Sequence, residues 1–170
     1  PLLYYLGSLQ KECSAKFGFS PNKTLEVVQA LYQEHKLTTY PRTDCEFISD
    51  EMHGEATSVI AQIRRINDYA PLCDLADAKT KSRAFNTAKV SAAAHHAIIP
   101  TANPEAGAIY AGLDAAEKKV YTLIVKRYLA QFLGDYHYER TSIQVLCGGE
   151  QFEAVGNVPT ALGWKRAYAD

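Results

Sequence analysis

The chain has 170 residues, 47% of them apolar, with 18 basic and 19 acidic side chains that leave a formal net charge of -1. That length supports one good hydrophobic core, and the near-neutral balance excludes the broadly basic surface usual in nucleic-acid-binding domains, so any contact with DNA has to come from local clustering. No apolar run approaches the roughly 20 residues that a membrane-spanning helix needs, and no charged segment leads into an apolar stretch at the start.

Pro1 opens the sequence without a methionine and Asp170 closes it just after a tryptophan-containing stretch, so both ends are expected to be cuts through a longer protein. The four cysteines, Cys13, Cys45, Cys73 and Cys147, lie far apart without the paired spacing of a zinc site. They are expected as small core residues of a protein kept in a reducing cytoplasm.

Leu6, Leu9, Cys13 and Phe17 recur at helical spacing and run into Gly18, which predicts a first amphipathic helix and its stop. Ser20 and Pro21 then read as an N-cap followed by proline at the first helical position. Leu25, Val28, Leu31 and Tyr32 supply the apolar face of this second helix. The short turn between the two helices is that of a helix-turn-helix. Residues 37–41 leave the second helix, and Pro41 pushes Tyr40 towards extended geometry.

Ser49, Asp50 and Glu51 predict the start of a third helix, with Met52, Ala56, Val59, Ile60, Ile63 and Ile66 as its stripe and its end before Pro71. The pattern is lost from Asp74 to Ala94, where Lys79, Lys81, Arg83 and Lys89 gather in a basic loop with short helical pieces. Asp114 and Glu117 form a capping box for a strong helix carrying Val120, Leu123, Ile124, Tyr128, Phe132 and Leu133, closed by Gly134. Beyond it the period changes to two. Thr141, Ile143, Val145 and Cys147 alternate with their neighbours, and Gly148-Gly149 signals a hairpin before residues 152–155. The expected fold is mainly α with a β-rich C-terminal piece, an α+β chain divided into a helical unit at 1–134 and a β-rich segment at 135–170.

The stretch LTTYPRTD, residues 37–44, poses the chemical question. A phenol ionises near pH 10, so Tyr40 becomes a useful nucleophile only where a positive charge or a base favours its phenolate. Arg42 stands two residues on, and in an extended segment both side chains point to one side and can face one phosphate. Its planar fork suits the equatorial oxygens of a phosphoryl transition state. The plain alternative is a packed tyrosine with Arg42 salt-bridged to Asp44. In AHHAIIPT, residues 94–101, adjacent histidines point apart and do not share a zinc ion. One of them aimed at a phosphate is reasonable chemistry; one bonded to backbone beside Ile98 and Ile99 is the competing reading. The basic loop likewise reads either as phosphate contacts or as a solvated surface.

Taken together, the segment from Pro1 to Asp44, with Tyr-Pro-Arg-Thr-Asp after a helix-turn-helix, and the downstream His-His-Ala-Ile-Ile-Pro-Thr resemble the cleavage domain of type IA DNA topoisomerases, most closely the bacterial topoisomerase III branch. The resemblance implies that Tyr40 attacks one DNA strand, forms a 5′-phosphotyrosine link and frees a 3′-hydroxyl, changing DNA topology without ATP. It implies that Arg42 stabilises the phosphate under attack and that His95 contacts the phosphate near the break, with His96 at a variable position. It also implies that 1–134 is a moving gate and 135–170 part of an arch joining it to the body.

The family's Mg²⁺ ligands sit in a separate Toprim-type domain that this sequence does not carry. Mg²⁺ is therefore expected in the parent enzyme, no metal site in the chain itself, and no activity from the chain alone. Expected partners are DNA, preferably single-stranded, and the remaining domains of the parent, in a bacterial cytoplasm at the nucleoid. The competing function is a non-enzymatic helix-turn-helix DNA-binding module, for which the second helix offers only Asn22, Lys23, Gln29 and Gln33, with Glu26 and Glu34 opposing phosphate.

Overall fold

The computed structural model describes residues 1–169. Its helices are Leu6–Phe17 (α1), Pro21–Gln33 (α2), Ala56–Ile63 (α3), Ala70–Leu75 (α4), Thr87–Ser91 (α5), Ala106–Gly112 (α6) and Ala115–Leu129 (α7), followed by strands His137–Cys147 (β1) and Glu150–Ala161 (β2). The fold is mainly α with a C-terminal two-stranded antiparallel sheet.

The first two helices begin and end where local chemistry places their caps. Gly18 takes φ 68°, which lets its N–H return to the Ser14 carbonyl at 3.0 Å. The Ser20 hydroxyl accepts from the Lys23 N–H at 3.1 Å. The buried face of α2 is Thr24, Val27, Val28 and Leu31, turned slightly from the expected stripe, so that Leu25 and Tyr32 are only half-buried. Thr24 can be buried because its hydroxyl donates to the Ser20 carbonyl at 3.2 Å. The helix closes with a bond from the Leu37 N–H to the Leu31 carbonyl at 2.9 Å, with Lys36 in the left-handed region at φ 56°.

The single third helix expected from Ser49 to just before Pro71 is broken. A 3₁₀ turn at Glu51–Glu55 leads into α3, and a second one at Asn67–Tyr69 leads into α4. Asp50 does not cap: its carboxylate accepts from the Thr87 N–H (3.1 Å) and hydroxyl (2.8 Å) and pairs with Lys81 at 2.6 Å, tying down the basic loop instead. Ile66 is extended at φ -90°, ψ 111°, and Pro71 sits in the first turn of α4, where its missing N–H costs nothing. The apolar stripe itself is buried from Ala56 to Ile66. The short α6 carries no strong periodic signal and is an addition to the expected elements.

The capping box of α7 is complete, with the Glu117 N–H donating to Asp114 at 2.7 Å and the Asp114 N–H to Glu117 at 2.9 Å. Val120, Tyr121, Leu123, Ile124, Val125, Tyr128 and Leu129 make it the core helix, packed on α2, which also packs on α1. Arg127 is the polar centre of this core. It pairs with Glu12 at 2.6 Å and donates to the Tyr4 hydroxyl (2.9 Å), the Tyr168 hydroxyl (2.7 Å) and the Leu2 carbonyl (3.1 Å). Burial opposes its charge, but Tyr4, Tyr168 and Glu12 more than offset that and hold its pKa above the ordinary value.

Gly148 and Gly149, both at positive φ, turn the hairpin as their pairing predicts. Both strands are exposed along their whole length, with Leu146 at 76% and Phe152 at 59%, so Cys147 is the one cysteine outside the expected core. The chain then returns. A 3₁₀ turn at Gly163–Tyr168 packs on α7, and the Trp164 N–H donates to the Gly134 carbonyl at 3.0 Å.

Candidate active site

Tyr40 and His95 meet because two extended segments run side by side through the helical body. Thr38 bridges Pro100, Tyr4 bridges Ile98, and the Thr39 N–H donates to the Ile99 carbonyl at 2.9 Å. Threonine side chains complete the seam. The Thr39 hydroxyl donates to the Ala97 carbonyl at 3.1 Å and accepts from the Ile99 N–H at 3.0 Å. The Thr43 hydroxyl donates to the His95 carbonyl at 3.1 Å and accepts from the Cys45 N–H at 3.1 Å. The Tyr4 segment, in turn, is anchored by Arg127, so the partly buried ion pair supports the segment that carries His95.

Burial alternates along the motif, as an extended strap on a core requires: Pro41, Thr43 and Cys45 face inward while Arg42 and Asp44 are exposed. Half-buried Tyr40 stands beside them, its ring 4.5 Å from that of exposed His95 and 5.6 Å, edge-on, from that of Tyr32. The Arg42 guanidinium donates from Nη2 to the Gln29 amide oxygen at 3.2 Å. Among the described residues no ion pair involves Arg42, so the plain alternative of an Arg42–Asp44 salt bridge does not form. The two histidines part as adjacent residues must. His96 is held by its backbone through the Ala97 carbonyl, 2.7 Å from Nδ1, and His95 lies against the tyrosine.

The four residues of the basic loop have surroundings of their own. Lys81 is paired with Asp50, Arg83 lines a cleft of about 450 Å³ beside Pro1 and Gln131, Lys89 lies on α5, and Lys79 is exposed. None of the four forms a salt bridge with a residue of the Tyr40 strap. Among the described residues no group of three or more His, Cys, Asp or Glu side chains is placed to hold a metal ion. Among the same residues no helix is long and apolar enough to cross a membrane.

Sequence reasoning did not single out Thr39, Thr43, Gln29 as the Arg42 partner, or Tyr32 as the second wall of the tyrosine. A signal for the threonines was present. With Tyr40 and Arg42 outward, the period of two places Thr39 and Thr43 inward, and an inward hydroxyl needs partners.

The whole chain, residues 1–170, matches a family model described as DNA topoisomerase. It is 39% identical over 167 residues to DNA topoisomerase 3 of Pasteurella multocida, covering 98% of this chain and 25% of that protein. To DNA topoisomerase 3 of Bacillus subtilis it is 38% identical over 170 residues, covering 99% of the chain and 23% of the relative. It thus spans about a quarter of the length of these relatives. The structure of full-length topoisomerase I from Thermotoga maritima superposes with a TM-score of 0.69 at 26% identity, covering all of this chain and 27% of that one. With the tyrosine strap, the matched length and the shared architecture in agreement, the chain belongs to the type IA DNA topoisomerase family.

Proposed function

We propose that the chain is the tyrosine-bearing part of a longer enzyme that cuts and rejoins one DNA strand. The observation that carries this reading is the placement of Tyr40 between the rings of Tyr32 and His95, on a strap whose outward positions also present Arg42. In the cutting step the Tyr40 oxygen attacks a backbone phosphorus, the bond from phosphorus to the 3′-oxygen breaks, and that oxygen leaves with a proton as a 3′-hydroxyl. The phosphate stays on the tyrosine at the 5′ end of the break. Rejoining is the reverse, and because one phosphoester replaces another, no ATP is consumed. Arg42 supplies charge-assisted donors to the equatorial oxygens as charge spreads over them, and its bond to the neutral Gln29 amide leaves its charge uncompensated for that purpose. His95 contacts the same phosphate or its neighbour, while Lys79, Lys81, Arg83 and Lys89 meet the backbone further along.

The substrate in this reading is single-stranded DNA, and the partners are the other domains of the parent, one of which holds Mg²⁺. Residues 1–134 form the moving cleavage domain, and 135–170 begin the connecting arch. The setting is the bacterial cytoplasm at the nucleoid.

The test is covalent capture. The full-length protein is incubated with labelled single-stranded DNA, quenched in detergent and run on a denaturing gel. Wild type gives a shifted protein-DNA band and Tyr40→Phe gives none, while the 170-residue chain alone gives none in either form. An adduct that survives in the Phe variant overturns the assignment of the nucleophile.

A further inference from the structure

A second basic site lies outside the Tyr40 strap, on the face made by the end of α1 and the solvent side of α7. There a cleft of about 320 Å³ is lined by Lys16, Lys118, Lys119 and Lys126, with Phe17 and Tyr168 among its walls and no carboxylate in its lining. In a chain with slightly more acidic than basic groups, this gathering of one sign is conspicuous. The one acid that pairs with a lysine of this lining, among the described residues, is already engaged. Glu12 is held by Arg127 at 2.6 Å, which leaves Lys16 only a long contact of 3.8 Å. Among the described residues Lys118, Lys119 and Lys126 take part in no salt bridge.

Lys16 and Lys126 lie in the last turns of α1 and α7, where a cation stabilises a helix, but local helix stability does not account for the other two. Lys118 and Lys119 are the fourth and fifth residues of α7, near its positive end, where acids stabilise a helix and lysines do not. Lys119 lies 5.4 Å from the Phe17 ring centre and 5.9 Å from that of Phe19. Aromatic faces beside mobile point charges form the platform on which single-stranded nucleic acid is held without sequence reading.

We propose that this cleft is a second DNA-binding site, which holds the sugar-phosphate backbone of a single-stranded segment separate from the strand at Tyr40. The choice of DNA over an acidic peptide rests on the proposed function, and the aromatic walls favour it independently. Lysines rather than arginines imply backbone attraction without base selection.

The test is reversible binding, which is independent of the covalent adduct that tests Tyr40. Fluorescence anisotropy of a short labelled oligothymidylate is followed with the 170-residue chain over about 50–200 mM salt. If three lysines each meet a phosphate at roughly 0.7 in the slope of log K against log salt, then Lys16→Gln, Lys119→Gln and Lys126→Gln together lower that slope by roughly 2 and weaken binding at least about tenfold. A triple change of equal charge at exposed Lys11, Arg140 and Lys165 leaves the slope as it was. Circular dichroism confirms that each variant is folded, and Lys119→Gln alone, lowering the slope by roughly 0.7, serves if the triple variant is not. Equal weakening by both triples, no change from the cleft triple, or competition by oligoglutamate as strong as that by unlabelled oligothymidylate overturns the proposal. Failure of the Tyr40 adduct, by contrast, bears on the catalytic reading and not on this cleft.

Discussion

Thr43→Val isolates the seam that holds His95 against Tyr40. The substitution puts a methyl where the hydroxyl stood, so it opens no cavity and removes only the hydrogen-bonding capacity of a residue that is 8% exposed. Two bonds go with it, the one donated to the His95 carbonyl and the one accepted from the Cys45 N–H, each 3.1 Å. Losing the first costs about 1 kcal/mol, since the carbonyl of exposed His95 can turn to water. The second leaves a donor unpaired inside the protein, because Cys45 is buried, and costs about 1–3 kcal/mol. The sum is roughly 2–4 kcal/mol, which for a domain of this size lowers Tm by roughly 5–15 °C. Thr43→Ser keeps the hydroxyl and gives up one methyl, about 1 kcal/mol. Thermal melts followed by circular dichroism measure the difference, and covalent capture in the full-length protein reads the consequence. The Val variant forms less adduct well below its Tm because the His95 backbone is no longer tied to the strap, and the Ser variant is close to wild type. A Val variant that melts with wild type, or a Ser variant as impaired as Val, refutes the role given to the hydroxyl.

Arg42→Ala raises the cleavage barrier by about 2–4 kcal/mol, roughly 30- to 1,000-fold in single-turnover rate, and Arg42→Lys recovers only part of it because a point charge does not reproduce the fork. Near-normal rates in the Ala variant reject the role. Burial pushes the thiols of Cys13 and Cys73 up to about 11 from an ordinary 9.0, so the unfolded chain loses these protons first and stability falls between about pH 9 and pH 11. Urea midpoints measured at both ends of that window report the loss, Cys13→Ala with Cys73→Ala makes it shallower, and a midpoint that does not move contradicts it. At Gly163, φ is 45° and an added Cβ would stand 2.0 Å from the Asp135 carbonyl oxygen, so Gly163→Ala destabilises the chain by at least about 2 kcal/mol. The fluorescence of Trp164, the single tryptophan, reports the displaced C-terminal turn, and an unchanged spectrum and Tm argue against it.

What the sequence determined by itself is what neighbouring residues decide among themselves. Gly18, Ser20-Pro21 and the Asp114–Glu117 box mark helix ends because each satisfies backbone groups within a turn of itself, and Gly148-Gly149 turns the hairpin because glycine tolerates positive φ. The same locality brought out the Tyr40–Arg42 pair and two adjacent histidines without choosing between them; His95 was singled out by the family resemblance. The third helix failed at the point where local signals competed with distant ones. Asp50 had the look of a cap, but Thr87 and Lys81 offered its carboxylate better partners from across the fold. Pairing of the 37–43 strap with 95–101 was likewise beyond any local pattern, because its bonds join segments whose proximity depends on the whole core. Only the tertiary structure placed His95 rather than His96 against the tyrosine, tied Arg42 to Gln29 rather than Asp44, and set partly buried Arg127 among Tyr4, Glu12 and Tyr168. Long-range contacts of this kind are energetically decisive and leave no periodic trace in the chain.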